Sequence, residues 1–125
     1  MRYIGKIDPE IFEGKFGKLM TDEVIITERQ IQHIKERHPQ DYERYAGYIP
    51  QILKEPDYIL EANKPNSAVL LKRFLSNGEH LQLVLRIKTP FDPKEFNNSI
   101  ITFSRLHAKE WKRFIKNKKV IYKCE

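Results

Sequence analysis

The chain has 125 residues, and Lys plus Arg outnumber Asp plus Glu by 23 to 17, a formal charge of +6. That length suits one domain able to bury roughly two thirds of its unfolded surface, and the positive balance favours anionic partners such as nucleic acid. The single cysteine, Cys124, excludes an internal disulfide, and the first ten residues lack the apolar core of a signal peptide. No apolar run approaches the ~20 residues of a membrane span, so a cytoplasmic protein with no membrane partner is expected.

Residues 1–22 carry Gly5, Gly14 and Gly17 among short alternating apolar pieces. They read as an N-terminal strand, a hairpin or an arm on a single domain spanning 1–125. Val24-Ile25-Ile26 is a short apolar run leading into a helix over residues 27–38. Thr27 and Gln30 have the spacing of a capping box, and Ile26 and Ile31 that of a hydrophobic staple. Pro39 disfavours helical backbone at His38 and stops the helix. A second helical stretch, residues 41–54, carries Tyr42, Tyr45, Ile49, Ile52 and Leu53 at helical spacing. Gly47 and Pro50 predict a break near residues 47–49. A contact surface built on Tyr42, Tyr45 and Tyr48 is one reading of its aromatic content.

After Pro56 the pattern turns to strands: 58–60, 68–75, 80–88 and 99–104, with a loop over 89–98. A helix over 108–117 presents Trp111, Phe114 and Ile115 on one face, and residues 120–122 suggest an edge strand. The expected class is α+β, with N-terminal helices, then an antiparallel meander, then a C-terminal helix. Asn77-Gly78 predicts a two-residue type I′ hairpin with Ser76 opposite Glu79. One face then holds Ala68, Leu70, Phe74, Leu81, Leu83, Leu85 and Ile87, with Lys72 its only charge. The other holds Val69, Leu71, Arg73 and Leu75 against His80, Gln82, Val84, Arg86 and Lys88. In the strand 99–104, Ile101 and Phe103 are expected in the core, with Thr102 and Ser104 on the mixed face.

At 100° per residue, Ile31, Ile34 and His38 fall within an arc of about 60°, and His33 lies about 140° from His38. His38 is therefore expected inward at the helix end, and His33 outward beside Arg37. Their i, i+5 spacing is not that of a helical chelating pair, and no HExxH or CxxC occurs. No metal centre and no cofactor is expected. His38 also suits a purely structural role, bonding a last helix carbonyl.

The order of these features carries a resemblance. His33-Ile34-x-x-Arg37-His38-Pro39, then Lys54-Glu55-Pro56-Asp57-Tyr58-Ile59, a hairpin and Ile100-Ile101-Thr102-Phe103-Ser104 follow one another. Over about residues 24–105 this resembles the phage-associated nuclease-like domains of the barnase–EndoU–colicin–RelE superfamily. The resemblance implies a barnase- or RelE-like fold and a metal-independent endoribonuclease, a toxin or phage-borne effector. The 2′-hydroxyl of RNA would attack the adjacent phosphorus and leave a 2′,3′-cyclic phosphate. Such chemistry needs a base, an acid and a cation at the phosphorane. His38 or His33 is the acid/base candidate, with Arg86 and Thr102 completing the catalytic set. Arg37, Arg73, Lys88 and Ser104 are the RNA-binding candidates. The strand glutamate of barnase-like members is missing from the mixed face. RNA is the implied partner, together with an immunity or antitoxin protein. The alternative is a non-catalytic nucleic-acid-binding or protein-interaction domain of the same fold.

Overall fold

The computed structural model describes residues 1–124. The chain opens with strand β1 (Arg2–Lys6), helix α1 (Pro9–Phe16) and strand β2 (Glu23–Ile26). Helices α2 (Glu28–Arg37) and α3 (Asp41–Tyr45), a 3-10 turn (Ala46–Tyr48) and helix α4 (Ile49–Lys54) follow. Then come β3 (Tyr58–Glu61), β4 (Ser67–Phe74), β5 (Glu79–Arg86), β6 (Asn98–Leu106), α5 (Ala108–Asn117) and β7 (Val120–Lys123). The strands form one seven-stranded sheet in the order β1-β2-β6-β5-β4-β3-β7.

The class is α+β, but strands rather than helices come first. Val24, Ile25 and Ile26 are β-branched and buried, which suits a strand between neighbours better than a lead-in to a helix. They pair with β1 on one side and, in parallel, with the start of β6 on the other. The meander β3–β6 is antiparallel throughout. A helix inside residues 1–22 was not expected. Its signal is Asp8-Pro9-Glu10: the Asp8 carboxylate accepts from the Glu10 amide at 3.0 Å, and Pro9 occupies the first turn. Phe12 from this helix is fully buried.

The β4–β5 hairpin departs from the expected turn. Phe74 pairs with Glu79, so four residues, not two, make the loop. A type I′ turn needs positive φ at both central residues, and only Gly78 has it, at 71°. The Gly78 amide closes the loop on the Phe74 carbonyl at 2.8 Å. Each strand partner therefore slides by two residues. A two-residue slip preserves side-chain parity, so the faces survive. Ala68, Leu70, Phe74, Leu81, Leu83, Leu85 and Ile87 lie in the main core with Ile31, Ile34, Ile49 and Ile52. Lys72 escapes that face by donating to the Glu55 carbonyl at 2.6 Å, beside Asp57.

A bulge corrects the reading of β6. Val84 pairs with Thr102 but Leu85 with Ile100, leaving Ile101 as the extra residue. Ile100, not Ile101, is buried in the core beside Phe103. The second face of the sheet is also less open than expected. Trp111, Phe114 and Ile115 of α5 cover Leu60, Val69, Leu71 and Leu106 in a second cluster.

Asn98 ties the parallel pair together. Fully buried, its Nδ2 donates to the Thr21 and Glu23 carbonyls at 2.9 and 3.0 Å. Its Oδ1 accepts from the Lys88 amide at 2.8 Å. Removing that side chain strands three part-buried backbone groups, at roughly 1–3 kcal/mol for each one left unsatisfied. We predict that Asn98→Ala loses about 3 kcal/mol in urea unfolding. A loss below about 1 kcal/mol would show that the pair holds without it.

Candidate functional site

Helix α2 presents the expected stretch. Thr27 caps it, its hydroxyl accepting from the Gln30 amide at 3.1 Å, and Ile31 and Ile34 bury its inner stripe. The His38 amide closes the last turn on the Ile34 carbonyl at 2.8 Å. Beyond it, Gln40 takes a left-handed φ of 76° and the chain turns into α3. The Asp41 carboxylate then accepts from the Arg105 amide at 3.0 Å, satisfying a free donor on the edge of β6.

This route decides the geometry. The parallel β2–β6 pairing covers only Asn98 and Ser99, so beyond Ser99 the β6 edge is open to α2 and α3. Helix α2 therefore packs on the apolar face while its outer side overhangs that edge. An open groove of about 800 Å³ results. His33, Arg37, His38 and Thr102 line it together, with Arg29, Glu36 and the bulged Ile101. His33 is exposed and His38 half-buried, as the wheel implies. The two nonetheless border one groove, because His38 sits where the helix ends and the chain turns.

Arg29, His33 and Arg37 recur every four residues, which stacks them along one helix face. Among the described residues neither arginine is in a salt bridge. Glu36 is held by the Gln32 amide, Nε2 to Oε1 at 3.2 Å. Arg29, Gln32 and Glu36 escaped the sequence reading, although the i, i+4, i+8 recurrence of Arg29, His33 and Arg37 was available to find the first of them.

Four other expected residues lie elsewhere. Arg86 is gripped by Asp92 through two nitrogens, at 2.9 and 3.0 Å, and lies 5.4 Å from the Phe96 ring centroid. Lys88 donates to the Lys94 carbonyl at 2.7 Å. Both side chains thereby pin the loop between β5 and β6. Ser104 is buried and accepts from Gln82 Nε2 at 2.9 Å. Arg73 lies at the far end of the second face, beside His80 and Trp111.

An edge groove with imidazoles, guanidiniums and a hydroxyl gathers the side chains that phosphodiester chemistry uses. A family model described as phage-Barnase-EndoU-ColicinE5/D-RelE like nuclease2 matches residues 2–123. The chain belongs to that phage-associated nuclease family. Searches of curated proteins and of solved structures found no match. Among the described residues no helix is long and apolar enough to cross a membrane.

The Arg86–Asp92 clamp makes the loop sensitive to acid. Hydrogen bonds from Arg86, then the bond from the Thr89 amide, hold the Asp92 carboxyl down at about 2, below its ordinary 3.8. A depressed carboxyl stabilises fully above its unfolded value, and that contribution is lost as pH falls from about 4 through about 2. We predict that Asp92→Asn is less stable than the parent at about pH 6, and that the gap closes as the pH approaches 2. Urea midpoints over this range test it, and a pH-independent gap would count against the clamp.

Proposed function

We propose that the chain is a metal-independent endoribonuclease whose reaction centre is the groove between α2 and β6. The observation that carries this reading is the shared groove: His33, His38, Arg29, Arg37 and Thr102 border one space, with neither guanidinium in a salt bridge among the described residues. Membership of a nuclease family supports a nucleic acid as substrate.

The two imidazoles serve as the acid–base pair. One takes the proton from the 2′-hydroxyl as the 2′-oxygen bonds to phosphorus. The other protonates the 5′-oxygen as the P–O5′ bond breaks. The products are a 2′,3′-cyclic phosphate and a 5′-hydroxyl. Arg37 and Arg29 hold the phosphate and balance the charge of the phosphorane, for which a planar two-pronged cation is suited. Thr102 donates to a non-bridging oxygen. Imidazoles, guanidiniums and a hydroxyl with a single carboxylate suit proton transfer and anion binding better than a hard cation, which prefers oxygen ligands. RNA rather than DNA follows from the need for a 2′-hydroxyl nucleophile.

Total RNA incubated with the protein in chelator should yield fragments ending in 2′,3′-cyclic phosphate. His38→Ala and His33→Ala should each slow cleavage by about 10²–10⁴-fold, the usual contribution of a general acid or base. Arg37→Gln should slow it by about 10²-fold or more, the scale of a lost transition-state charge contact. Undiminished cleavage by the His33/His38 double variant, with its melting temperature intact, would remove the groove as the reaction centre.

A further inference from the structure

The positive charge of this protein is concentrated in one place. Residues 108–123, covering α5 and β7, carry seven Lys or Arg against the single carboxylate Glu110. That local excess of six equals the formal charge of the whole chain, so all other residues together are neutral. The helix sorts these residues by face. At 100° per residue, Lys109, Lys112, Arg113 and Lys116 fall within an arc of about 100°. Trp111, Phe114 and Ile115 lie on the opposite side, packed on Leu71 and Leu106. The whole outward face of α5 is thus basic, and Lys109, Lys112, Arg113 and Lys116 are all exposed. Among the described residues none of the seven cations is in a salt bridge.

A groove of about 470 Å³ runs beside this face. Arg73 of β4 enters it from the sheet and Lys112 and Lys116 from α5, with His80 and Trp111 stacked edge to face at 5.0 Å. Among the described residues Arg73, Lys112 and Lys116 are in no salt bridge, and three such cations around one channel favour successive phosphates. A second cleft, of about 250 Å³, lies along the other flank of α5 between Phe114, Lys118 and the bulged Ile101. Ile101 also borders the α2–β6 groove, so the surface is continuous from α5 to that groove.

We infer that the basic face of α5, with Arg73, is an accessory docking surface for the phosphate backbone of the RNA, remote from the scissile bond. It takes the polymer from the ribonuclease reading above, but its binding is measurable without cleavage. A basic face of this density costs the fold self-repulsion, which a covering polyanion relieves. Each phosphate neutralised releases counterions, so affinity falls with salt with a slope of about −0.7 per contact for single strands.

The probe is a fluorescent single-stranded RNA with 2′-O-methyl sugars, which cannot be cleaved by 2′-attack. Its anisotropy is followed against KCl for three proteins: the parent, Lys112→Gln/Arg113→Gln/Lys116→Gln, and the control Lys6→Gln/Lys54→Gln/Lys94→Gln. Both triples remove three charges, and all six side chains are exposed. The α5 triple should weaken binding about tenfold or more at 0.1 M salt and shallow the log–log slope by about 2, while the control changes affinity less than threefold. Equal losses in the two triples, an unchanged α5 triple or no binding by the parent would each overturn the inference. An unchanged α5 triple would leave the patch to an acidic protein. A parent that binds this RNA yet cleaves no natural RNA would instead count against the reaction and leave the docking surface standing.

Discussion

The two-residue parallel pairing of β2 with β6 is the constraint on which the candidate site depends. A longer pairing would cover the β6 edge and leave no room for the overhang of α2. A missing one would free α2 from the sheet. Val24 and Ile25 pair with Asn98 and Ser99, and the Asn98 amide holds both the chain entering β2 and the start of the loop that leaves β5. Helix α2 begins three residues after Ile25, so its direction along β6 is set by this junction. The buried stripe of Ile31 and Ile34 then fixes its rotation. Rotation and direction together bring His33, Arg37 and His38 to the groove that Thr102 also lines.

The bulge at Ile101 works with this junction. It lets Ile100 and Phe103 both reach the core while Thr102 stays on the opposite face. Bulges concentrate near functional sites because they re-aim a side chain without breaking the sheet. Here the extra residue lies where the two clefts meet. The second face divides accordingly: α5 covers one end with Trp111 and Phe114, while Arg86 and Lys88 anchor a loop at the other. The catalytic candidates of the reading proposed above are left at the flank, on α2 and β6, and the dense positive charge on the outer side of α5.

Much of this was legible because the strongest local signals agree with the tertiary structure. The Thr27 cap, Pro39 and the Ile31/Ile34 stripe delimit α2 within a residue. The parity of β4 and β5 carries the core face even though the turn was misjudged, since a slip of two keeps every side chain on its side. What failed depends on partners distant in sequence. Nothing local marks Asn98 as the tie between β2 and β6, and nothing in a run of isoleucines says which one bulges. The early helix α1 was signalled by Asp8-Pro9 but obscured by three nearby glycines. Arg86 reads as a free cation until Asp92, six residues on, is brought back against it by the loop. The nuclease family was legible from motif order, because helix end, Pro-Asp junction and final strand recur in sequence.

On the ribonuclease reading proposed above, the groove at the β6 edge, rather than the basic channel at α5, receives the scissile phosphate. A 2′-deoxy dinucleotide is too short to span both and cannot be cleaved by 2′-attack. Titrating it into ¹⁵N-labelled protein, with the imidazoles observed directly, should shift His33, His38, Arg37 and Thr102 together while His80 and Trp111 stay in place. Shifts confined to Arg73, His80 and Trp111 would move the reaction to the other side of the sheet.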